Sequence, residues 1–176
     1  MSTTKPPLFP AGEFVDPGEF TSGEKEELVS ELAVFPDRLR QAIVELSDAQ
    51  LDTKYRNWTI RQIVHHLADS HINCYVRFKW ALTEASPMIK SYNETKWSEI
   101  VDARTMPVDV SLTILDGIHA RWSGMIRELT DIQMRQTFFH TEQMKDVSLN
   151  EALPAYVWHG RHHIAQIEWV REQNGW

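Results

Sequence analysis

The chain of 176 residues contains a single cysteine, Cys74. One cysteine excludes a disulfide within the chain, and the lack of a CxxC pair argues against zinc-finger and thioredoxin-type sites. No apolar run approaches the roughly 18–20 residues that a membrane-spanning helix needs. The first residues, MSTTKPPLFPAGEF, lack the apolar segment of a secretory signal. We therefore expect a cytoplasmic protein without membrane association.

Positive charge is also scarce. The chain has 18 Lys and Arg residues against 25 Asp and Glu residues, which gives a net charge of −7. Nucleic-acid-binding proteins normally show a basic patch, because contacts with phosphates supply much of their affinity. We therefore expect no nucleic-acid partner. The length predicts one domain, large enough to bury a core without disulfides or structural metal.

Capping boxes mark the start of three predicted helices. In each box a Ser or Thr is followed three residues later by Glu or Gln, at Thr21-x-x-Glu24, Thr59-x-x-Gln62 and Ser148-x-x-Glu151. Apolar residues at spacings of three and four predict a further helix over roughly 110–129. Pro36 lies in the middle of the first predicted helix and is expected to kink or break it.

The segments outside these helices complete the predicted fold. Residues 1–20 are rich in Pro and Gly and predict an extended arm, followed by one domain over residues 21–176. The link over 85–109 is long for a helical bundle, where links typically have ~2–8 residues, so it either covers a site or runs the length of the bundle. The segment RQTFFHTEQMKDVSL alternates enough for a short hairpin. Four helices with one long crossover predict an all-α, four-helix bundle.

Histidines are concentrated in two of the predicted helices. In the last helix, His159 and His163 are four residues apart, so they lie one above the other on one side. This spacing lets two imidazoles bind one metal ion, whereas His162 points largely away from the apolar face. The alternative is a pair of boundary histidines that are hydrogen-bonded to water or to carbonyl groups.

The second predicted helix carries His65, His66 and His71. His71 is central in the apolar face, and the other two flank that face on different sides, so the periodicity predicts that His71 is the most buried. Periodicity alone does not choose a ligand among the three. A third imidazole from this helix would complete a three-histidine site with open coordination positions, which is typical of catalytic metal centres.

Two segments resemble the signature segments of the DinB-like superfamily: NWTIRQIVHHLADSH in the second predicted helix and YVWHGRHHIAQI in the last. The resemblance is closest to the YfiT-type metal-dependent hydrolases, a group that includes bacillithiol S-transferases. It covers nearly the whole chain, since LFPAGEF, LVSELAVFPDRLRQAI, HARW and NGW also resemble that group.

The resemblance implies a four-helix bundle with up-down-down-up topology that holds one divalent metal ion, often zinc or nickel. The ligands that it implies are His66, which precedes a Leu-Ala step, together with His159 and His163. It also implies a small-molecule substrate, and the chain is compatible with a homodimer.

The resemblance favours an enzyme that activates a low-molecular-weight thiol, such as bacillithiol, for attack on an electrophile. A hydrolase that uses metal-bound water is the alternative. A non-catalytic metal- or ligand-binding bundle is the third hypothesis, and a fourth protein ligand such as His71, His119 or a carboxylate would favour it.

Several other residues are candidates for the site. Asp69 could orient an imidazole of His65 or His66, or it could be a solvated surface residue. His119 and Arg121 could line the site from the third predicted helix, with Arg121 binding a substrate carboxylate or forming a surface ion pair. Cys74 is more typical of a small buried hydrophobic residue than of a nucleophile.

Overall fold

The computed structural model describes residues 5–176, so residues 1–4 of the predicted arm lie outside the described residues. Along the described chain the elements are α1 (Ser22–Ile43), α2 (Asp48–Leu51), β1 (Lys54–Tyr55), β2 (Trp58–Thr59), α3 (Ile60–Thr83), β3 (Met88–Ile89), α4 (Glu94–Ser98), α5 (Val101–Thr105), α6 (Val108–Glu128), α7 (Asp131–Met134), β4 (Thr137–His140), β5 (Lys145–Ser148) and α8 (Leu149–Asn174). Over this part of the chain, none of the helices is both long and apolar enough to cross a membrane.

The long helices begin where the sequence predicts. Complete capping boxes precede α1 and α3. At α8 only half of the box forms: the Ser148 hydroxyl accepts from the backbone N–H of Glu151, while the Glu151 carboxylate pairs with Lys145. Of the kink or break predicted at Pro36, the break does not occur, because α1 continues through this residue. Proline lacks an N–H, so the carbonyl of Leu32, four residues earlier, is left free to accept from elsewhere.

The four long helices pack in the order α1, α6, α3, α8 around the bundle. Between α3 and α6, His65 contacts Ser111 and His71 contacts His119, so the residue numbers rise together and these helices are parallel. The residue numbers of contacting pairs change in opposite directions for α1 with α6 and for α3 with α8, so these pairs are antiparallel. The numbers rise together for α1 with α8, so this pair is parallel. The predicted up-down-down-up bundle is therefore confirmed.

The parallel pair explains the long crossover. Because α3 and α6 follow one another and run in the same direction, the chain over 84–107 must return along the bundle. A helix of 24 residues is roughly 36 Å long. The crossover contributes β3, which pairs in parallel with β4, and β4 pairs with β5 in the predicted hairpin. This small sheet forms a wall beside α3 and α8.

The N-terminal segment lies on α8. The indole N–H of Trp158 donates to the carbonyl of Gly12 at 3.0 Å, and the hydroxyl of Tyr55 donates to the carbonyl of Pro7. Phe9 packs against the rings of both Trp158 and His162. His162 points away from the bundle core, as its position on the helix predicts, and yet it is only 8% exposed, since the arm covers it.

Candidate metal centre

Three histidines from two antiparallel helices meet inside the bundle. His66 comes from α3, and His159 and His163 come from successive turns of α8. One ligand nitrogen of each lies within 4.8 Å of the others. Trp58 covers the group from the start of α3, since its ring lies 4.6 Å from the ring of His66 and stacks on that of His163 at 6.2 Å.

The spacing of the nitrogens suits a divalent metal ion. Two nitrogens that bind one zinc ion at about 2.0–2.1 Å with tetrahedral angles lie about 3.3 Å apart. The Nε2 atoms of His66 and His159 are 3.3 Å apart. Within residues 5–176 this group contains three candidate ligands and no fourth, so an ion held here would keep open coordination positions.

The proton positions on two of these rings are determined by their neighbours. His163 Nδ1 lies 2.8 Å from the amide oxygen of Gln166, which can only accept, so Nδ1 carries the proton and Nε2 keeps its lone pair. The Gln166 amide N–H₂ in turn donates to His162 Nε2 at 2.8 Å. A metal-binding imidazole usually donates its other N–H to such a partner, which fixes the orientation of the ring.

A chain of hydrogen-bonded histidines determines which nitrogen of His159 carries the proton. His119 Nδ1 donates to the free carbonyl of Leu32 at 2.6 Å, so His119 Nε2 must accept, and it accepts from His71 Nδ1 at 2.8 Å. His71 Nε2 then accepts from His159 Nδ1 at 3.3 Å. His159 Nε2 is therefore the nitrogen with a free lone pair. Pro36 supports this arrangement, because it leaves the Leu32 carbonyl without its helical donor.

Burial keeps the candidate ligands neutral. It lowers the pKa of His66 to about 4. Burial and the neighbouring imidazoles also hold the pKa values of His159 and His163 well below the usual value of 6.5. Only the neutral imidazole has a lone pair for a metal, so this environment keeps the site able to bind one at neutral pH.

The other candidates from the sequence occupy different positions. His71 is fully buried, as predicted, and His119 is also buried in the core. Of the two possibilities for Asp69, a contact with an imidazole is not found among residues 5–176: His65 bonds to Ser111 Oγ and to the Met106 carbonyl instead. Burial, with Asp102 nearby, raises the pKa of Asp69 to about 6.

Two further candidates lie away from the three histidines. Arg121 is exposed on α6, where its guanidinium lies 5.5 Å above the ring of Tyr75, and it is not part of the pocket wall. Cys74 is fully buried, and burial raises the pKa of its thiol, which agrees with a small core residue.

A pocket of about 650 Å³ opens on His159. Its walls come from α3, α8, the crossover around α4, the β4–β5 hairpin and Phe14 of the arm. This volume is in the range of small-molecule sites. The crossover therefore both spans the bundle and encloses a site, which combines the two roles that its length predicts.

The sequence patterns do not single out the polar groups of this pocket, above all Arg77 and Tyr156. One signal could have found Arg77. It follows His66 by eleven residues, which is three helical turns and within about 20° of the same direction. A cation on the face that carries a candidate ligand indicates a second polar group over the same cavity.

Comparisons with known proteins agree with this fold. A family model described as the DinB superfamily matches residues 31–167. "Putative metal-dependent hydrolase YfiT" of Bacillus subtilis (strain 168) is 42% identical over 170 residues, which cover 96% of each chain. A relative from Bacillus mycoides (strain KBAB4) that is also named as a metal-dependent hydrolase is 44% identical over 170 residues, with 96% of this chain and 97% of that one covered.

Solved structures extend the comparison. The structure of YfiT from Bacillus subtilis, described as a probable metal-dependent hydrolase with an unusual four-helix bundle topology, matches with a TM-score of 0.93 and covers 96% of this chain and 97% of that one. The mycothiol-dependent maleylpyruvate isomerase matches with a TM-score of 0.61 at 18% identity over 82% of this chain and 63% of that one, a likeness in fold. The relatives' names and the histidine cluster support a metal ion and an enzymatic role. The chain belongs to the DinB superfamily.

Proposed function

We propose that this protein is a divalent-metal-dependent enzyme that uses His66, His159 and His163 as ligands and transfers a low-molecular-weight thiol to an electrophile. The observation that carries the proposal is the convergence of three neutral imidazoles, one of which, His159, lines a small-molecule pocket. Imidazole ligands suit zinc and nickel. Three neutral ligands leave the full charge of the ion uncompensated and leave room for an exchangeable ligand.

A divalent ion bound here would supply Lewis acidity, which deprotonates a coordinated thiol or lowers the pKa of a coordinated water. The residues of the chain supply the geometry. His71 and Gln166 orient two of the ligand rings, and Trp58 holds the third in place by packing. His159 presents its ring to the pocket, where a substrate would meet the centre.

Metal analysis of variants tests the ligand assignment. Purified protein should contain about one divalent ion per chain, and His163→Ala should abolish this binding while the helical circular dichroism remains. His65→Ala is a matched control, because His65 is a buried histidine on the same helix as His66 but outside the cluster. Full metal occupancy in His163→Ala would contradict the assignment.

A thiol screen tests the activity. Bacillithiol, mycothiol, glutathione and cysteine should be compared as donors to 1-chloro-2,4-dinitrobenzene with the metal-loaded protein. In the cobalt-substituted protein, the correct thiol should produce a sulfur-to-metal charge-transfer band in the near ultraviolet, because a soft thiolate suits a late transition metal. The conjugation rate should follow this band and disappear in His163→Ala.

The alternative is hydrolysis, and the names of the relatives favour it. If none of the thiols changes the cobalt spectrum, while an activated ester is hydrolysed at a rate that rises with pH near neutrality, then the hydrolase is correct and the transferase is not. A fourth protein ligand would favour the non-catalytic hypothesis, and the cluster within the described chain contains three. Absence of both reactions in metal-loaded protein would favour this third hypothesis.

A further inference from the structure

Helix α3 contains two buried arginines in very different surroundings. Arg61 is 5% exposed and forms ion pairs with Asp48 at 2.9 Å and with Asp52 at 2.7 Å. Arg77 is 7% exposed, and no ion pair to it is found among residues 5–176. Since an uncompensated buried charge is strongly destabilising, buried cations in proteins are normally paired. Arg77 therefore lacks the partner that its burial calls for.

The groups in direct contact with the Arg77 side chain are neutral. Within the described chain, the hydrogen bond that its side chain makes is to Tyr156 Oη, at 3.4 Å. His140 also lies near it, and burial, followed by the charge of Arg77, lowers the pKa of His140. Burial keeps the pKa of Tyr156 raised, so this hydroxyl is neutral as well. The guanidinium lines the pocket that leads to His159.

We propose that Arg77 binds a carboxylate of the small molecule that occupies this pocket, with its reacting end at the three histidines. The planar fork of a guanidinium matches the two oxygens of a carboxylate. The guanidinium of Arg77 reaches Tyr156 Oη at 3.4 Å, and the ring of Tyr156 lies 5.6 Å from that of His159, so the carboxylate lies at the opposite end of a small molecule from its reacting group. This inference rests on the proposed function, because it names a feature of the substrate class for the same site.

The charges of the pocket favour a carboxylate over a phosphate. The second cation on its wall, Lys145, is already paired with Glu151. Glu94 and Glu142 also line the pocket, close enough that Glu142 contributes, after burial, to raising the pKa of Glu94. A dianion would meet one free guanidinium and several carboxylates. A group with one negative charge balances Arg77 without an excess.

Matched thiols test this assignment in the metal-loaded, full-length protein. The probes are 6-mercaptohexanoate and 8-mercaptooctanoate, each compared with the mercapto-alcohol of the same length. Because a hydrogen bond to a charged group contributes more than a neutral one, we expect at least one acid to bind about 10-fold or more tightly than its alcohol. Arg77→Met should reduce this ratio to about one. Arg77→Lys keeps the positive charge without the planar guanidinium, so this variant should keep part of the preference for the acid over the alcohol.

Arg121→Met is the matched control, because it removes an exposed guanidinium over Tyr75 that does not line the pocket. The acid-to-alcohol ratio should remain unchanged in this variant. A ratio that stays the same in Arg77→Met, or that falls in Arg121→Met instead, would overturn the proposal. Inorganic phosphate that displaces the acids at equal or lower concentration would overturn the choice of carboxylate.

A probe without a thiol separates this proposal from the proposed function. If no thiol binds the metal, the thiol-transfer hypothesis fails, and binding of glutarate against glutaramide then decides the role of Arg77. Glutarate binding that weakens in Arg77→Met and persists in Arg121→Met supports the carboxylate site. Glutarate binding that is absent, or equal in all variants, contradicts it. Thermal melting of each variant checks that it is folded. If Arg77→Met does not fold, Arg77→Lys takes its place in the comparison.

Discussion

Replacing His71 should mainly reduce stability, whereas replacing His66 should mainly reduce metal binding. His71 is fully buried and links His119 to His159 through two hydrogen bonds. His71→Ala leaves the donor N–H of His159 and the acceptor nitrogen of His119 buried without a partner, and each unpaired group costs about 1–3 kcal/mol of stability. The substitution also creates a cavity beside Phe35. Water that enters this polar cavity offsets part of the loss. We expect the unfolding free energy of the metal-free protein to fall by about 2–4 kcal/mol.

For a chain of this size, that loss corresponds to a midpoint lower by roughly 4–16 °C. His71→Ala should also weaken metal binding about 10- to 100-fold, because His159 loses the acceptor that orients its ring. His66→Ala should abolish stoichiometric metal binding and reduce the stability of the metal-free protein by less, about 1–2 kcal/mol. His66 stands at the end of the hydrogen-bond chain that leads to Leu32, with one contact of 3.3 Å from its Nε2 to His159 Nε2, so its removal leaves fewer buried groups without a partner.

Urea unfolding of chelator-treated protein, followed by circular dichroism, gives the stabilities, and mass spectrometry of the metal gives the occupancy. His65→Ala is the control for loss of a buried, hydrogen-bonded histidine, and it should reduce stability without reducing metal affinity. The opposite pattern, in which His66→Ala keeps its metal and His71→Ala loses stoichiometric binding with little change in stability, would refute the reasoning.

Three other outcomes follow from the structure. Burial lowers the pKa of every histidine, to about 4 for His66, so below pH 6.5 the unfolded chain binds protons that the native protein does not. Urea titrations of the metal-free protein should therefore show that its stability falls between pH 6.5 and 4, by up to ~1.4 kcal/mol per pH unit for each histidine. A stability that does not change over this pH range would contradict the prediction. Gly160→Ala would place a methyl group 2.7 Å from the ring of Phe35 and should destabilise the protein by about 1–3 kcal/mol, whereas Gly124→Ala, with open space around it, should be neutral or stabilising in the same thermal melt. Cys74 should resist iodoacetamide in the native protein and react only after unfolding, since burial both covers the thiol and raises its pKa; rapid native alkylation would show that the helix opens there.

The sequence was sufficient for the features that depend on neighbours along the chain. Capping boxes gave the starts of α1 and α3, and apolar spacing gave the position of α6 to within two residues. The spacing of four between His159 and His163 placed both on one side of α8, because a helix repeats every 3.6 residues. The full burial of His71 also followed from its central place in the apolar stripe.

Contacts between distant segments decided the rest. Periodicity did not show which of the three histidines of α3 is the ligand. The packing of α3 against α8 brings His66 next to His159 and His163. Before the structure, only the family resemblance indicated His66. Pro36 shows the same limit. Its sequence context predicts a kink or a break, and only the bundle shows that the carbonyl it frees accepts from a histidine on α6.

Arg77 shows most clearly what the tertiary structure adds. The sequence places it on the same face as His66, but it cannot say whether a carboxylate from another segment meets it. Arg61, on the same helix, obtains two such partners from α2 and the turn that follows it, and Arg77 obtains none among the described residues. Helical position is determined by local geometry, whereas the pairing of a charge depends on which distant segments the fold brings within reach.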